Sequence, residues 1–328
     1  MLEYIVRRLL LMIPTLMAIS LVAFIIIQLP PGDYLTSVIT TAASQGETID
    51  QAELAQLEAR YGLDQPVYIQ YFTWIGGIVQ GDFGWSFAYN RPVSELIWGR
   101  IGWSVVISLI SLVFVWLIAF PLGVYTAVRQ YSWGDYIAAV FGFIGLATPD
   151  FLLALILLYV AFSQFNQSVG GLFSPEFVEA AWSWAKFGDL VQHLWIPMII
   201  LGTNGIAGLT RIMRANLLDE LRKPYVTTAR AKGVSEARLT FKYPVRIAVN
   251  PLISTSGGLI AGLISGEIIV SVVLSLPTTG PLLLDALRAQ DMYLAASFIM
   301  ILSVLTLIGV LLSDIALAWF DPRIRYSR

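Results

Sequence analysis

The sequence predicts an all-α integral membrane protein with six transmembrane helices, and three observations predict it: its composition, its apolar stretches and its charge distribution. Of the 328 residues, 57% are hydrophobic and 13% are charged, and the mean hydropathy is +0.74. A soluble domain of this length needs a larger charged surface than this composition supplies. The chain is therefore expected to cross a lipid bilayer several times.

Six apolar stretches are each long enough to cross a hydrocarbon layer roughly 30 Å thick, at about 1.5 Å of helix per residue. Proline and glycine interrupt several of them, as membrane helices tolerate when neighbouring helices satisfy the freed backbone groups. Pro149 is such a break in the third stretch. The six stretches lie at about residues 9–29, 101–128, 136–162, 193–213, 247–276 and 293–320.

A more polar insertion of residues 30–100 separates the first two stretches. Apolar residues recur at helical spacing over about 48–61, which predicts a short amphipathic helix. Glycines and aromatic residues follow at 81–86, a composition typical of a loop with tight turns. We expect the insertion to form a small extramembrane domain.

The Lys and Arg residues are distributed unevenly between the two sides of the predicted bundle. Most of the 20 lie near the amino terminus, in the second-to-third connection, in the fourth-to-fifth connection and near the carboxyl terminus. Because basic loops stay on the cytoplasmic side, both termini and the fourth-to-fifth loop should face the cytoplasm, and the insertion should face out.

These observations predict one membrane domain with one external insertion. It divides into the amino terminus and first helix at 1–29, the external insertion at 30–100, a five-helix core at 101–320 that includes the basic loop 214–246, and a cytoplasmic tail at 321–328.

The basic loop contains residues that typically start and end helices. Pro224 suits a first helical turn and Gly233 suits a C-terminal stop, so a short helix is predicted between them. Ser235 is then expected to cap a second helix, and Pro244 should prevent that helix from continuing beyond Tyr243.

Small residues within this loop predict a close contact. Ala229 and Gly233 lie four residues apart, on one face of the predicted helix, and Arg230 and Lys232 flank that face. Small residues surrounded by cations are typical of a surface that docks into a partner protein, but the spacing alone does not separate this reading from its alternative. A basic helix resting on lipid headgroups is the alternative that the same pattern allows.

Several catalytic and energy-converting sites are excluded by residue types. The chain has no cysteine and one histidine, so thiolate chemistry and a HExxH zinc site are ruled out, and no metal site or cofactor is expected. No lysine follows a glycine, so a Walker A loop is absent. We therefore expect no enzyme activity, and ATP-driven work would need a partner subunit.

Acidic residues inside predicted spans are candidates for a transport path. A carboxylate at mid-bilayer costs roughly 2.5 to 3.5 kcal/mol on insertion scales, so Asp150 and Glu267 should face a protein-lined or wet interior. A helix-packing hydrogen bond is the alternative for both, and Asp150 could also cap the half-helix after Pro149. A self-contained channel or ion-coupled carrier, with these carboxylates binding protons or cations, is a rival reading of the whole chain.

The segment Tyr225-Val226-Thr227-Thr228-Ala229-Arg230-Ala231-Lys232-Gly233 resembles the EAA loop of ABC-importer permeases. The whole chain resembles the inner-membrane permeases of dipeptide, oligopeptide and nickel importers, in the subunit type with a large external loop after its first helix. Further segments that carry the resemblance are Arg7-Arg8 through Ile13-Pro14, Pro31-Gly32-Asp33, Gly62-Leu63-Asp64 with Pro66, Gln70-Tyr71, Gly81-Asp82 with Gly84 and Ser86, Pro121-Leu122-Gly123, His193 with Pro197, Arg246 with Pro251, Leu276-Pro277, Asp285-Ala286-Leu287 and Asp321-Pro322-Arg323-Ile324.

The resemblance implies a subunit of a heteromeric importer in a bacterial or archaeal cytoplasmic (inner) membrane, with peptides as the leading cargo. Its expected partners are a second homologous permease, two cytoplasmic ATPase subunits and an external substrate-binding protein, with no nucleic acid. The resemblance also implies that the loop forms a coupling helix in a cleft of the ATPase. The matching residues are Tyr225, Thr228, Ala229, Arg230, Ala231, Lys232 and Gly233.

The chain departs from the family pattern near the expected path. Ser271 stands where the family often has glutamate, and the acid comes four residues earlier at Glu267. Asp150 occupies a position expected to be apolar or aromatic. Asp150, Glu267 and Ser271 are thus the candidate path residues, and an importer of the same type for oligosaccharides or opines is the alternative.

Overall fold

The chain is helical almost throughout the part that the computed structural model describes, which is residues 2–29, 35–36, 39, 64–165 and 170–320. Two two-residue strands, β1 (Trp85–Ser86) and β2 (Arg91–Pro92), pair antiparallel. The described helices are α1 (Leu2–Gln28), α2 (Val67–Val79), α3 (Val93–Val128), α4 (Trp133–Ala147), α5 (Asp150–Phe165), α6 (Trp184–Leu221), α7 (Pro224–Ala231), α8 (Glu236–Lys242), α9 (Pro244–Ala248), α10 (Asn250–Val273), α11 (Thr279–Arg288) and α12 (Met292–Phe320).

Five of the described helices are long and apolar enough to cross a membrane: α1, α3, α6, α10 and α12. The pair α4 and α5 adds a sixth span if it is counted as one. The predicted all-α membrane fold is therefore confirmed. The predicted amphipathic helix at 48–61 lies outside the described residues.

The third apolar stretch, at 136–162, is divided into two helices at Pro149, the break that the sequence indicates. α4 ends at Ala147, α5 begins at Asp150, and their axes differ by 107°. Pro149 explains the break, because a proline disfavours helical conformation in the residue before it, and Thr148 adopts extended backbone with ψ 120°.

Two other spans are longer than the apolar stretches that predicted them. α3 begins at Val93, inside the predicted insertion, rather than at residue 101. α6 covers 38 residues and begins after Ser183, whose side chain accepts a hydrogen bond from the Lys186 backbone N–H at 3.2 Å. This N-cap was readable in the sequence and extends the helix beyond its apolar section.

The described part of the chain divides into two compact units. The first comprises Ser104–Pro277 with Met1–Ile5 and Thr306–Arg328, and its central helix is α6, which packs against α4, α5, α9 and α10. A methyl group added at Gly123 would lie 2.6 Å from Met213, and one at Gly205 would lie 2.8 Å from Leu259. These two glycines therefore permit the close approach of α3 and α10 to α6.

The second unit comprises Val6–Trp103 and Thr278–Leu305. Its core is an aromatic cluster in which Phe24 stacks on Trp74 with ring centroids 5.8 Å apart. Asp291 precedes α12 and is fully buried, and its carboxylate accepts hydrogen bonds from the Ser86 hydroxyl at 2.6 Å and the Ala88 N–H at 3.0 Å. This contact fixes the short β-hairpin to the start of α12.

Candidate coupling segment and membrane groove

The connecting segment, residues 222–243, joins α6 to the helices that lead into α10. Its first helix, α7, lies where the sequence predicts one and ends at Ala231. Gly233 has a φ of +76°, its N–H donates to the Arg230 carbonyl at 3.0 Å, and the Val234 N–H donates to the Ala229 carbonyl at 3.3 Å. These bonds form a Schellman motif, which is why glycine suits this position.

The predicted common face of Ala229 and Gly233 is wrong, because Gly233 lies beyond the end of α7. Ala229 is half-buried on the helix, whereas Gly233 is exposed in the turn. Ser235 does precede α8, but its side chain makes no capping hydrogen bond, and its carbonyl instead accepts from the Leu239 N–H at 2.8 Å.

The connecting segment is anchored by few side chains. Val226 is the buried residue of α7 and has 0% exposure, and Leu239 has the same role in α8. The remaining predicted coupling residues, apart from half-buried Ala229, are exposed: Tyr225, Thr228, Arg230, Ala231, Lys232 and Gly233. Most of the surface of the connecting segment is therefore exposed, while Val226 and Leu239 attach it to the rest of the protein.

Two charged contacts hold α7 in place. Arg230 forms a two-bond pair with Glu236 of α8, with Nη2 and Oε2 3.0 Å apart, and this hydrogen bonding lowers the pKa of the Glu236 carboxyl. The Tyr225 hydroxyl donates to Glu220 at 2.6 Å, and burial together with that carboxylate raises the pKa of Tyr225. The guanidinium of Arg230 is thus engaged within the segment, and Lys232 is the flanking cation that extends from the end of α7.

A groove of about 300 Å³ lies among α5, α6 and α10. We call it the glycine groove, because glycines of α6 and α10 make up much of its wall. Gly258, Gly262 and Gly266 of α10 recur at four-residue spacing and so share one helical face. The lining residues are Asp150, Leu201, Asn204, Gly205, Gly208, Leu209, Ile212, Thr255, Gly258, Leu259, Gly262, Leu263 and Gly266.

Asp150 and Asn204 form the polar contact of the glycine groove. The Asn204 side-chain amide donates to Asp150 Oδ1 at 2.9 Å. Sequence reasoning missed Asn204, although an asparagine within an apolar span was a signal that could have drawn attention to it.

The other two candidate path residues do not line the glycine groove. Glu267 and Ser271 have 0% exposure on α10, and the Ser271 hydroxyl donates to the Ile268 carbonyl at 2.9 Å. Glu267 follows Gly266 directly, so the helical rotation of about 100° between neighbours turns it away from the groove. The structure thus places Asp150 in the groove and the other two within the packed bundle.

A larger groove of about 870 Å³ lies against α3, α4 and α6. Its walls are largely apolar, and Arg214 at its edge pairs with Asp135 at 2.8 Å. Arg211, also at the edge, lies 5.6 Å from the centroid of the Phe143 ring. The Arg214–Asp135 pair ties the start of α4 to α6.

Comparison with known families decides what kind of protein carries these features. Residues 119–326 match the family described as binding-protein-dependent transport system inner membrane component, and residues 1–110 match the N-terminal part of such membrane components. The chain belongs to this family. It is thus a multi-pass inner membrane component of a transport system rather than an enzyme, and the resemblance found in the sequence is confirmed.

Relatives of this transport component align along its whole length. The oligopeptide transport system permease protein AppB of Bacillus subtilis is 38% identical over 327 residues, which cover 99% of this chain and 100% of that protein. The glutathione transport system permease protein GsiC of Escherichia coli K12 is 31% identical over 327 residues, covering 100% of both chains. The dipeptide transport system permease protein DppB of Alkalihalophilus pseudofirmus is 29% identical over 340 residues, covering 99% of this chain and 100% of that protein.

Replacing the anchor of α7 should loosen the connecting segment alone. Val226→Ala removes buried apolar surface, which should destabilise the docked position of α7 by about 1 to 3 kcal/mol. Hydrogen–deuterium exchange of residues 224–231 should therefore become roughly tenfold faster. The exposed neighbour is the matched control: Thr227→Ala should leave the exchange unchanged, and equal exchange in the two variants would show that Val226 is no anchor.

Proposed function

We propose that this chain is the transmembrane permease subunit of an ATP-driven, binding-protein-dependent importer of peptides. Its family membership supplies the transport role. The cargo is inferred from relatives named for oligopeptides, dipeptides and glutathione, each aligned over nearly its whole length. That full-length alignment is the observation that carries the proposal.

The proposed assembly pairs this chain with a second homologous permease subunit, two cytoplasmic ATPase subunits and an external substrate-binding protein. The family description supports the binding protein. A separate ATPase is supported by the sequence, in which no lysine follows a glycine and a Walker A loop is therefore absent. In this assembly the chain forms half of the translocation path.

The connecting segment is the proposed docking site for an ATPase subunit. Its exposed residues supply the contact surface, and Val226 and the Arg230–Glu236 pair keep that surface in a fixed orientation. α7 follows α6 after two residues, and α6 packs against α4, α5, α9 and α10. A rigid displacement of α7 by the ATPase would thus move α6 and, through it, the helices that border the glycine groove.

The glycine groove is the proposed part of the path within this chain, with Asp150 as its charged residue. Glu267 and Ser271 would then support α10 from the side that faces the packed bundle. A carboxylate within a membrane-spanning region is costly and is commonly functional, which supports this role for Asp150.

Both termini and the connecting segment are proposed to face the cytoplasm, because the Lys and Arg residues are concentrated there. The residues of the insertion and the loop before α6 would then face outward.

A bulky side chain on α7 should uncouple transport. Ala231 is exposed at the end of α7, so Ala231→Trp should leave membrane insertion intact but should clash with a docked ATPase. We expect ATP-dependent peptide uptake, measured in proteoliposomes that contain the complete importer, to fall at least tenfold.

The matched control for this experiment is Ala185→Trp, at the exposed opposite end of α6, which should retain most of the uptake. Uptake by Ala231→Trp within twofold of the wild type would contradict docking at α7. Uptake driven by an ion gradient in vesicles that hold this chain alone would instead support the rival carrier.

The proposed orientation predicts which single cysteines can be labelled from each side. The chain has no cysteine of its own, and both Gly170 and Ser235 are exposed. In right-side-out vesicles, a membrane-impermeant thiol reagent should label Gly170→Cys and should reach Ser235→Cys only after permeabilisation. The reverse pattern would invert the orientation, and labelling of both from outside would contradict the predicted topology.

A further inference from the structure

We propose that Asp150 makes the glycine groove a binding site for the ammonium group of a peptide in transit. This inference rests on the proposed function and names the chemical group that the path recognises. Three features of the groove carry it: the geometry of the Asp150 carboxylate, the charge balance of the lining and the glycine face of α10.

The carboxylate of Asp150 has one oxygen engaged and the other directed at α10. Oδ1 accepts the hydrogen bond from Asn204 at 2.9 Å. Oδ2 lies 3.7 Å from the position that a Cβ would occupy on Gly266, so it faces the glycine wall. A group moving along that wall would meet Oδ2 directly.

Two contacts of Asp150 stabilise its ionised form, whereas its partial burial opposes ionisation. It is the first residue of α5, and the amino end of a helix carries a partial positive charge that stabilises an anion. The amide donor of Asn204 also stabilises a carboxylate more than it stabilises a carboxylic acid. These two contacts act in the same direction, and a cationic partner would offset the opposing cost of burial.

The described residues of the groove supply no positive charge to balance Asp150. Among the lining residues Asp150 is the charged one, and no Lys, Arg or His within the described part pairs with it. A mobile cation or a cationic group of the cargo is the partner that would compensate this charge, whereas an anionic cargo would be repelled.

The glycine wall determines which part of the cargo can be recognised. Gly258 and Gly262 have open space where a Cβ would project, so the glycine face of this wall has no side chain that could read the side chains of a cargo. The lining residues of α10 other than glycine are Thr255, Leu259 and Leu263. The amino terminus is common to unblocked peptides, and its ammonium group carries three hydrogen-bond donors like that of lysine. A carboxylate beside a glycine face thus suits a transporter that accepts many peptide sequences.

The local charge can be measured with thiol reagents, since the native chain has no cysteine. Gly262→Cys places one thiol in the glycine groove, where nothing lies within 4 Å of an added Cβ. In the complete importer, its reaction rates are measured with a cationic and an anionic methanethiosulfonate. One charge at about 4 Å in water changes the local concentration of each monovalent ion roughly fivefold, in opposite directions for cations and anions. The cation-to-anion rate ratio should therefore exceed that of Gly170→Cys, a thiol outside the groove, by roughly 25-fold.

Variants of Asp150 test whether this carboxylate is the source of the ratio. Asp150→Asn should lower the ratio at Gly262→Cys to that of Gly170→Cys, while Asp150→Glu should preserve it. A ratio that does not change in Asp150→Asn overturns the proposal. A merely structural role of Asp150 would alter both reagent rates together and would leave the ratio as it was.

Uptake separates failure of this inference from failure of the proposed function. With a tripeptide that has a free amino terminus, Asp150→Asn should reduce ATP-dependent uptake at least tenfold, and Asp150→Glu should recover part of it. If the wild-type importer takes up no peptide, the proposed function fails. If it takes up the tripeptide and Asp150→Asn does so equally well, only the ammonium site is refuted.

Discussion

The packing of α6 against its neighbours is the constraint on which the first unit depends. This 38-residue helix contacts α4, α5, α9 and α10, and its last turn leads within two residues into α7. Gly123 and Gly205 provide the space that this packing requires, because a methyl group at either position would collide with a neighbouring side chain. One rigid element therefore connects an exposed surface outside the bundle with the wall of the glycine groove.

This arrangement gives the proposed coupling a physical basis. The buried side chain of Val226 anchors α7, while the exposed residues around it remain available to a partner. The Arg230–Glu236 pair is solvent-exposed, so it contributes little to stability and serves mainly to orient α7 against α8. The Asp150–Asn204 contact joins the start of α5 to the middle of α6, the helix that leads into α7.

Much of the fold could be predicted from the sequence because its signals are local. Hydropathy located the spans, Pro149 marked the break between α4 and α5, and Gly233 marked the end of α7. The 107° angle at Pro149 could not be predicted, since a proline breaks a helix without fixing the direction in which the chain resumes. The start of α6 was missed because hydropathy reports the apolar section of a helix and not the polar turns at its ends.

The contacts within the candidate sites were less predictable because they join residues that are distant in the sequence or separated by a turn. Arg230 meets Glu236 only because the chain reverses at Gly233, and helical spacing does not indicate such a pair. Asn204 meets Asp150 across 54 positions. Gly233 ends α7, as the sequence predicts. Because it lies beyond the helix, it cannot share a helical face with Ala229, and that expectation was wrong.

The account rests on contact between α7 and an ATPase subunit, and site-specific crosslinking tests that contact most directly. Thr228 is exposed on α7, and the chain has no other thiol that would compete with a cysteine placed there. In the native assembly, a short photoactivatable crosslinker on Thr228→Cys should capture the ATPase subunit, whereas the same group on Gly170→Cys should not. Failure of Thr228→Cys to capture an ATPase from an assembly that still imports its cargo would contradict the account.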